Sequence, residues 1–198
     1  LLPFIERSIE SQADRSVVNI FRIKNTLWEG SHIGALLTDR RLHDFTFDGR
    51  PMTGGYGTTY GIDGALRLRK NYRFVFQTLG SQTREPNAPG LIEVDSSDRF
   101  DRGRYTMALD GESFVGHAVY TSLERSSRYW SITGEYAEYS PTFRTDNGFT
   151  MRNGYREIDL HGGLDFRPNR KWLIQWNPYL IIGRLWEHGG RIDLDPLA

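Results

Sequence analysis

A period-two alternation runs through most of the chain and limits what it can fold into more than any other feature. From Thr58 to Leu68 one face carries Thr58, Tyr60, Ile62, Gly64, Leu66 and Leu68, and the other carries Thr59, Gly61, Asp63, Ala65 and Arg67. Successive side chains of a strand point to opposite faces, so this stretch reads as a strand with one apolar and one polar side. The phase returns at Tyr72, Phe74 and Phe76 against Arg73, Val75 and Gln77. It returns again at Ile158, Leu160, Gly162, Leu164 and Phe166 against Glu157, Asp159, His161, Gly163 and Asp165. Trp130, Ile132 and Tyr136 fall in phase in a further segment.

Eight strands are predicted: Val17–Lys24, Ser31–Thr38, Thr58–Leu68, Tyr72–Gln82, Ser113–Ser122, Arg128–Glu138, Arg156–Phe166 and Lys171–Arg184. Most are ~9–11 residues, enough for a tilted strand to cross a bilayer and longer than the ~5–6 residues common in globular proteins. The connections sort by length. Short ones at Asn25–Gly30, Arg69–Asn71, Leu123–Ser127 and Arg167–Arg170 alternate with long polar or Gly/Pro-rich ones at Asp39–Gly57, Thr83–Glu112 and Tyr139–Tyr155. In an antiparallel meander this alternation gathers the short links at one end and the long links at the other. That is the pattern of an outer-membrane barrel with short periplasmic turns and long outer loops. The expected fold is therefore all-β, an antiparallel up-and-down meander forming part of a transmembrane outer-membrane β-barrel. It reads as one domain, or a fragment of one, over residues 1–198, with strands from about 17 to 184. Trp28, Tyr72, Tyr129, Trp130, Trp172 and Trp186 lie near predicted strand ends. Interfacial girdles would place them there, and so would the rim of a soluble core.

Composition removes several classes. Twenty-five basic residues balance 25 acidic ones, against the basic excess of a nucleic-acid surface. Cysteine is absent, which excludes disulfides, thiolate metal sites and cysteine nucleophiles. No run approaches the ~18 apolar residues of a spanning helix. A mean hydropathy of −0.55 does not separate a barrel from a soluble β protein, because barrel strands show only one apolar face. The sequence opens on Leu1 with no charged-then-apolar leader, and we expect a piece of a longer protein.

The search for chemistry leaves little. His32, His43, His117, His161 and His188 show no HExxH or other tight ligand spacing. Asp95, Asp98 and Asp101, and separately Asp146, offer oxygen donors of the kind calcium takes. Arg99 and Arg102 interleave the first group and the EF-hand pattern is missing, so solvated loops are expected and no metal ligand is assigned. A glycosidase needs two carboxylates across a sugar. Glu135 and Glu138 are the nearest pair, but odd spacing in a strand sends them to opposite faces. Gly54-Gly55-Tyr56-Gly57 lacks the lysine of a phosphate loop and precedes a strand, so it reads as a flexible loop. No serine sits in a G-x-S-x-G elbow. No catalytic residue and no cofactor is expected. What remains is the polar face: Asp63, Arg67, Arg73, Gln77, Glu157, Asp159, His161 and Asp165 would line a water-filled or salt-bridged lumen, or the solvent side of a soluble sheet.

Several ordered blocks carry a family resemblance. Val17-Val18-Asn19-Ile20-Phe21-Arg22-Ile23-Lys24 is followed by Gly30-Ser31-His32-Ile33-Gly34-Ala35-Leu36-Leu37-Thr38-Asp39-Arg40, then by Tyr60-Gly61-Ile62-Asp63-Gly64. Phe143, Asn147-Gly148-Phe149, Arg152 and Tyr155-Arg156 come later. From about Arg15 to Pro168 the chain resembles the barrel domain of a bacterial outer-membrane family of unknown function. That barrel usually follows a domain similar to a family-9 carbohydrate-binding module. The resemblance implies a barrel fold and placement in the outer membrane, and supplies no catalytic residues. The companion domain and the strands expected before Val17 are missing. The chain closes on Leu197-Ala198 rather than on a strand with a terminal aromatic.

The expectation is a bacterial outer-membrane barrel acting as a pore or membrane anchor, in contact with outer-membrane lipid and with no nucleic acid. The companion domain points, by association only, to carbohydrate or polymer uptake. Two rivals stay open: a soluble β-sandwich carbohydrate-binding module, burying the same stripes between two sheets, and a surface hydrolase. We also expect the first and last strands not to pair with each other. Eight strands close only a narrow barrel filled by side chains, and the charges on the polar face would each need a partner there.

Overall fold

The computed structural model describes residues 16–88, 90–91, 99–148, 152–168 and 170–188. In chain order the strands are β1 (Ser16–Trp28), β2 (Ser31–Leu42), β3 (Phe45–Phe47), β4 (Arg50–Met52), β5 (Tyr56–Leu68) and β6 (Tyr72–Arg84). They continue with β7 (Arg99–Phe100), β8 (Tyr105–Thr106), β9 (Ser113–Ser126), β10 (Trp130–Tyr139), β11 (Tyr155–Leu164) and β12 (Tyr179–Glu187). Eight of them form one antiparallel sheet in sequence order, β1-β2-β5-β6-β9-β10-β11-β12. The other four make two small hairpins, β3 with β4 and β7 with β8. β1 and β12 are the edges, and the sheet is open.

The links follow from this order. The turns between β1 and β2, β5 and β6, and β9 and β10 lie at one end, and the long links 43–55, 85–112 and 140–154 lie at the other. Gly30 closes the first turn at φ 73°, a conformation that costs glycine nothing. Most strands run past their predicted ends. β2 carries Asp39, Arg40 and Arg41 within its ladders to β1 and β5, because paired backbone groups hold a strand together even where its side chains turn polar.

The last hairpin differs from its prediction. β12 begins at Tyr179 rather than Lys171, so the link before it spans 165–178 and is not short. Bridges Phe166–Trp176 and Arg170–Leu173 fold this link on itself. Pro178, which has no N–H to give a ladder, stands immediately before the strand.

The register carries the period-two phase across all eight strands. Directly opposite residues share a face, and Phe21–Leu37–Tyr60–Gly80 and Phe74–Leu123–Gly134–Leu160–Ile182 are two such rows. One face of the sheet is thus apolar from edge to edge, and it is exposed. Phe21, Ile62, Leu123, Ile158 and Leu180 are 61%, 49%, 50%, 47% and 60% accessible. The opposite face holds most of the small and polar side chains, with Ile20 and Ile181 exposed on its edge strands, and there Thr59, Ala65, Ser81, Ala118 and Ser122 are buried.

The long links supply most of the packed core. Phe45, Met52, Ala88 and Leu109 are buried together, with Leu42, Phe47 and Leu91 against them. Gly54 and Gly55 lie against the carbonyls of Leu42 and Arg84 with no room for a Cβ. Those glycines serve close backbone approach, and the reading of them as a flexible loop is corrected here.

Candidate functional site

The strand register fixes which residues share the polar face. Asp63, Arg67, Arg73, Gln77, Glu157, Asp159 and His161 sit on the same side by register, and Asp165 lies outside the ladder, directly after β11. Asp63 forms an ion pair with Arg22 of β1, reaching across the intervening β2. The Arg67 N–H donates to the Ser31 hydroxyl at 2.8 Å. The His161 ring nitrogen Nδ1 lies 3.1 Å from the Tyr179 hydroxyl. Asp165 accepts from Arg167 at 2.7 and 2.9 Å and from Gln175 at 3.2 Å. The Arg167 guanidinium holds the Asp165 carboxyl below the usual carboxylate range.

Charge is unevenly placed. Arg22, Lys24, Arg40, Arg67 and Arg73 lie on β1, β2, β5 and β6 with Asp63 among them, whereas Glu135, Glu157 and Asp159 lie on β10 and β11. Glu135 stands opposite Asp159 and accepts from the Tyr120 and Ser122 hydroxyls at 3.2 and 3.4 Å. Glu138 lies on the apolar face instead, where it pairs with Arg156 at 3.1 Å. The two glutamates therefore do not converge on one substrate.

Residues 142–146 fold onto the polar face, an arrangement that strand periodicity does not predict. Phe143 is 1% exposed, and its backbone and that of Thr142 lie against Gly116 of β9, where a Cβ has no room; its ring meets Tyr139. The Thr142 hydroxyl donates to the Val115 carbonyl at 2.7 Å. The Arg144 N–H donates to the Ser81 hydroxyl at 3.1 Å, and the Thr59 hydroxyl donates to the Arg144 carbonyl at 3.3 Å. Asp146 sits over Gly57, again where a Cβ has no space. Burial raises its carboxyl, against the opposing pull of Arg40 and Arg144. The Arg144 guanidinium lies over the rings of Phe100 and Phe114 at 4.9 and 5.4 Å, which ties in the hairpin of β7 and β8. The signal for this loop was the row of residues without bulk, Gly57, Thr59, Ser81 and Gly116, on neighbouring strands. Its meaning depends on register, which no single segment reveals.

A second grouping forms where β6 leaves the sheet and β9 re-enters it. The Glu85 N–H donates to the Glu112 carbonyl at 2.9 Å. One carboxylate oxygen from each of Glu85, Asp110 and Glu112 lies within 4.8 Å of the others. Glu85 is 9% exposed, and its Oε2 has no hydrogen-bond partner. Burial pushes its carboxyl up to about 8, with Arg144 opposing and Glu112, Asp110 and Asp146 adding to the rise. Of the acidic residues singled out from sequence, Asp95 and Asp98 lie outside the described residues, and Asp101 pairs with Arg104 at 3.3 Å.

Compared with protein-family models, with curated proteins and with solved structures, the chain matches none.

Proposed function

We propose that this chain is wall and inner loop of a bacterial outer-membrane β-barrel that forms a constricted pore. The observation that carries the reading is an inside-out arrangement. Residues 142–146 and the β7–β8 hairpin pack on the polar face at its long-link end, while the apolar face lies uncovered across eight strands. A soluble protein buries its apolar side first, because removing apolar surface from water is the main favourable term in folding. Here that side suits hydrocarbon. On β5 the apolar stripe runs from Tyr60 to Leu68. Eight steps of ~3.3 Å give about 26 Å along the strand, and about 20 Å of height at a tilt of ~40°. That approaches the ~25 Å apolar band of such barrels.

The border of the stripe supports the same reading. At the short-turn end Trp28, Tyr72, Tyr129, Trp130 and Trp172 are exposed, as an interfacial girdle requires. Arg125 reaches over Trp130 at 3.6 Å and Tyr72 at 5.5 Å, so its charge has aromatic company at the level of lipid headgroups. No helix among the described residues is long and apolar enough to span a membrane, and strands would do the crossing. The free edges of β1 and β12 cannot face hydrocarbon unpaired. In this reading they join further strands to close the wall. The lumen would then carry the polar face, narrowed by Phe143, Arg144 and Asp146. A soluble sandwich would need a second sheet on the apolar face, and among the described residues the eight long strands lie in one sheet.

Absence of cysteine makes the test direct. Single cysteines at Ile62 and Asp63, adjacent but on opposite faces, are labelled with a fluorophore and the protein is reconstituted in phospholipid vesicles. Nitroxide-bearing lipid should quench the label at 62 and spare the label at 63. Equal protection of both positions, with a chain that stays dispersed without detergent, would falsify the membrane reading.

A further inference from the structure

We propose that Glu85, Asp110 and Glu112 form a calcium site that staples the two ends of the link 85–112. This inference does not depend on which surface the apolar face meets. The three donors are hard carboxylate oxygens, with no imidazole or thiolate among them, which favours calcium or magnesium over zinc or copper. A calcium ion holds oxygens at ~2.3–2.6 Å in flexible geometry, so it can bridge oxygens up to about 5 Å apart. Three oxygens within 4.8 Å of one another come close to that spacing, and small side-chain rotations bring them onto one ion. Magnesium, at ~2.0–2.1 Å with strict octahedral demands, bridges less.

The independent observation is Glu85 itself. It is 9% exposed, yet its Oε2 has no hydrogen-bond partner, and its carboxylate lies beside the other two. A buried carboxylate oxygen without a partner is costly to keep. Three acidic groups this close repel unless one keeps a proton or a cation lies between them. The other two carboxylates are held in place by the chain. The Thr106 hydroxyl donates to Asp110 Oδ2 at 3.1 Å, the Glu112 N–H to Asp110 Oδ1 at 3.3 Å, and the Thr106 N–H to Glu112 Oε2 at 2.9 Å. Each leaves lone pairs for an ion, and such supporting bonds are what orient metal ligands. Glu85 follows β6 directly and Glu112 precedes β9 directly. An ion there would pin the whole link at its base, beside Arg144 of the inward loop.

The test is calorimetric titration of the EDTA-treated chain with calcium chloride, repeated with Glu85→Gln and Asp110→Asn. Both substitutions are close in shape, and Asp110 is exposed, so at least one variant keeps the fold, which circular dichroism verifies. The expected result is a saturable one-to-one isotherm that weakens at least tenfold in each folded variant. No saturable binding by the wild-type chain overturns the proposal, as does a loss smaller than tenfold in either folded variant.

Discussion

Arg22 of β1 and Asp63 of β5 form an ion pair across the strand between them, passing over Gly34 of β2. A Cβ at Gly34 would meet the Arg22 guanidinium and the carbonyl of Ile23, so the missing side chain is what lets two non-adjacent strands join. Asp63→Asn should cost at most about 1 kcal/mol, since the Arg22 side chain is 40% exposed and exposed pairs are worth little. A double-mutant cycle with Arg22→Gln should return a coupling of ~0.5–1 kcal/mol. Gly34→Val should cost more than either single change, because it blocks the pair and crowds the backbone. Urea unfolding midpoints measure all three, and a zero coupling would remove the pair from the account.

Leu160 is the sharpest probe of the apolar face. Its row partners are Gly134 and Ile182, and it is 39% exposed. Leu160→Arg should destabilise the protein in vesicles by about 2–4 kcal/mol if the residue sits near the bilayer midplane. His161→Arg, one residue on but on the polar face, should cost under about 1 kcal/mol. Reversible unfolding followed by tryptophan fluorescence would compare them. Equal costs would mean that the two faces do not meet different solvents.

Phe143 should hold the inward loop in place. It is the largest fully buried side chain among the described residues, and its truncation to alanine should cost about 3–5 kcal/mol. Protease cleavage within 140–154 should quicken in Phe143→Ala while cleavage within 43–55 stays near the wild-type rate. A loop as protected as before would show that the hydrogen bonds of Thr142 and Arg144 suffice.

Asp146 gives the loop a pH dependence of known sign. Burial raises its carboxyl above the ordinary value, so the folded chain keeps a proton that the unfolded chain has already lost. The contribution to stability is full below the ordinary carboxylate range and falls as pH rises through the raised value. Asp146→Asn removes that slope. Unfolding midpoints from pH 3.5 to 7 should therefore fall more steeply in wild type than in the variant, and parallel profiles would contradict the assignment.

Much of this is legible in the sequence. Strand alternation is a property of backbone geometry, so Tyr60, Ile62 and Leu66 had to share a face once the segment was a strand, and Asp63 and Arg67 had to share the other. Link lengths then ordered the meander. The reading failed at Lys171–Pro178, where an apolar stretch containing Trp172 and Ile174 mimics a strand but turns back on itself before Pro178. Only the tertiary structure decided where the long links go. Gly57, Thr59, Ser81 and Gly116 come from three strands, and they make a hollow for Phe143 and Asp146 only when those strands stand in one register. Glu85 and Glu112 are likewise 27 positions apart in sequence, and the pairing of β6 with β9 alone makes them neighbours. The physical reason is range. Period and turn chemistry act over a few residues, whereas closeness between distant carboxylates is created by the ladder that joins their strands.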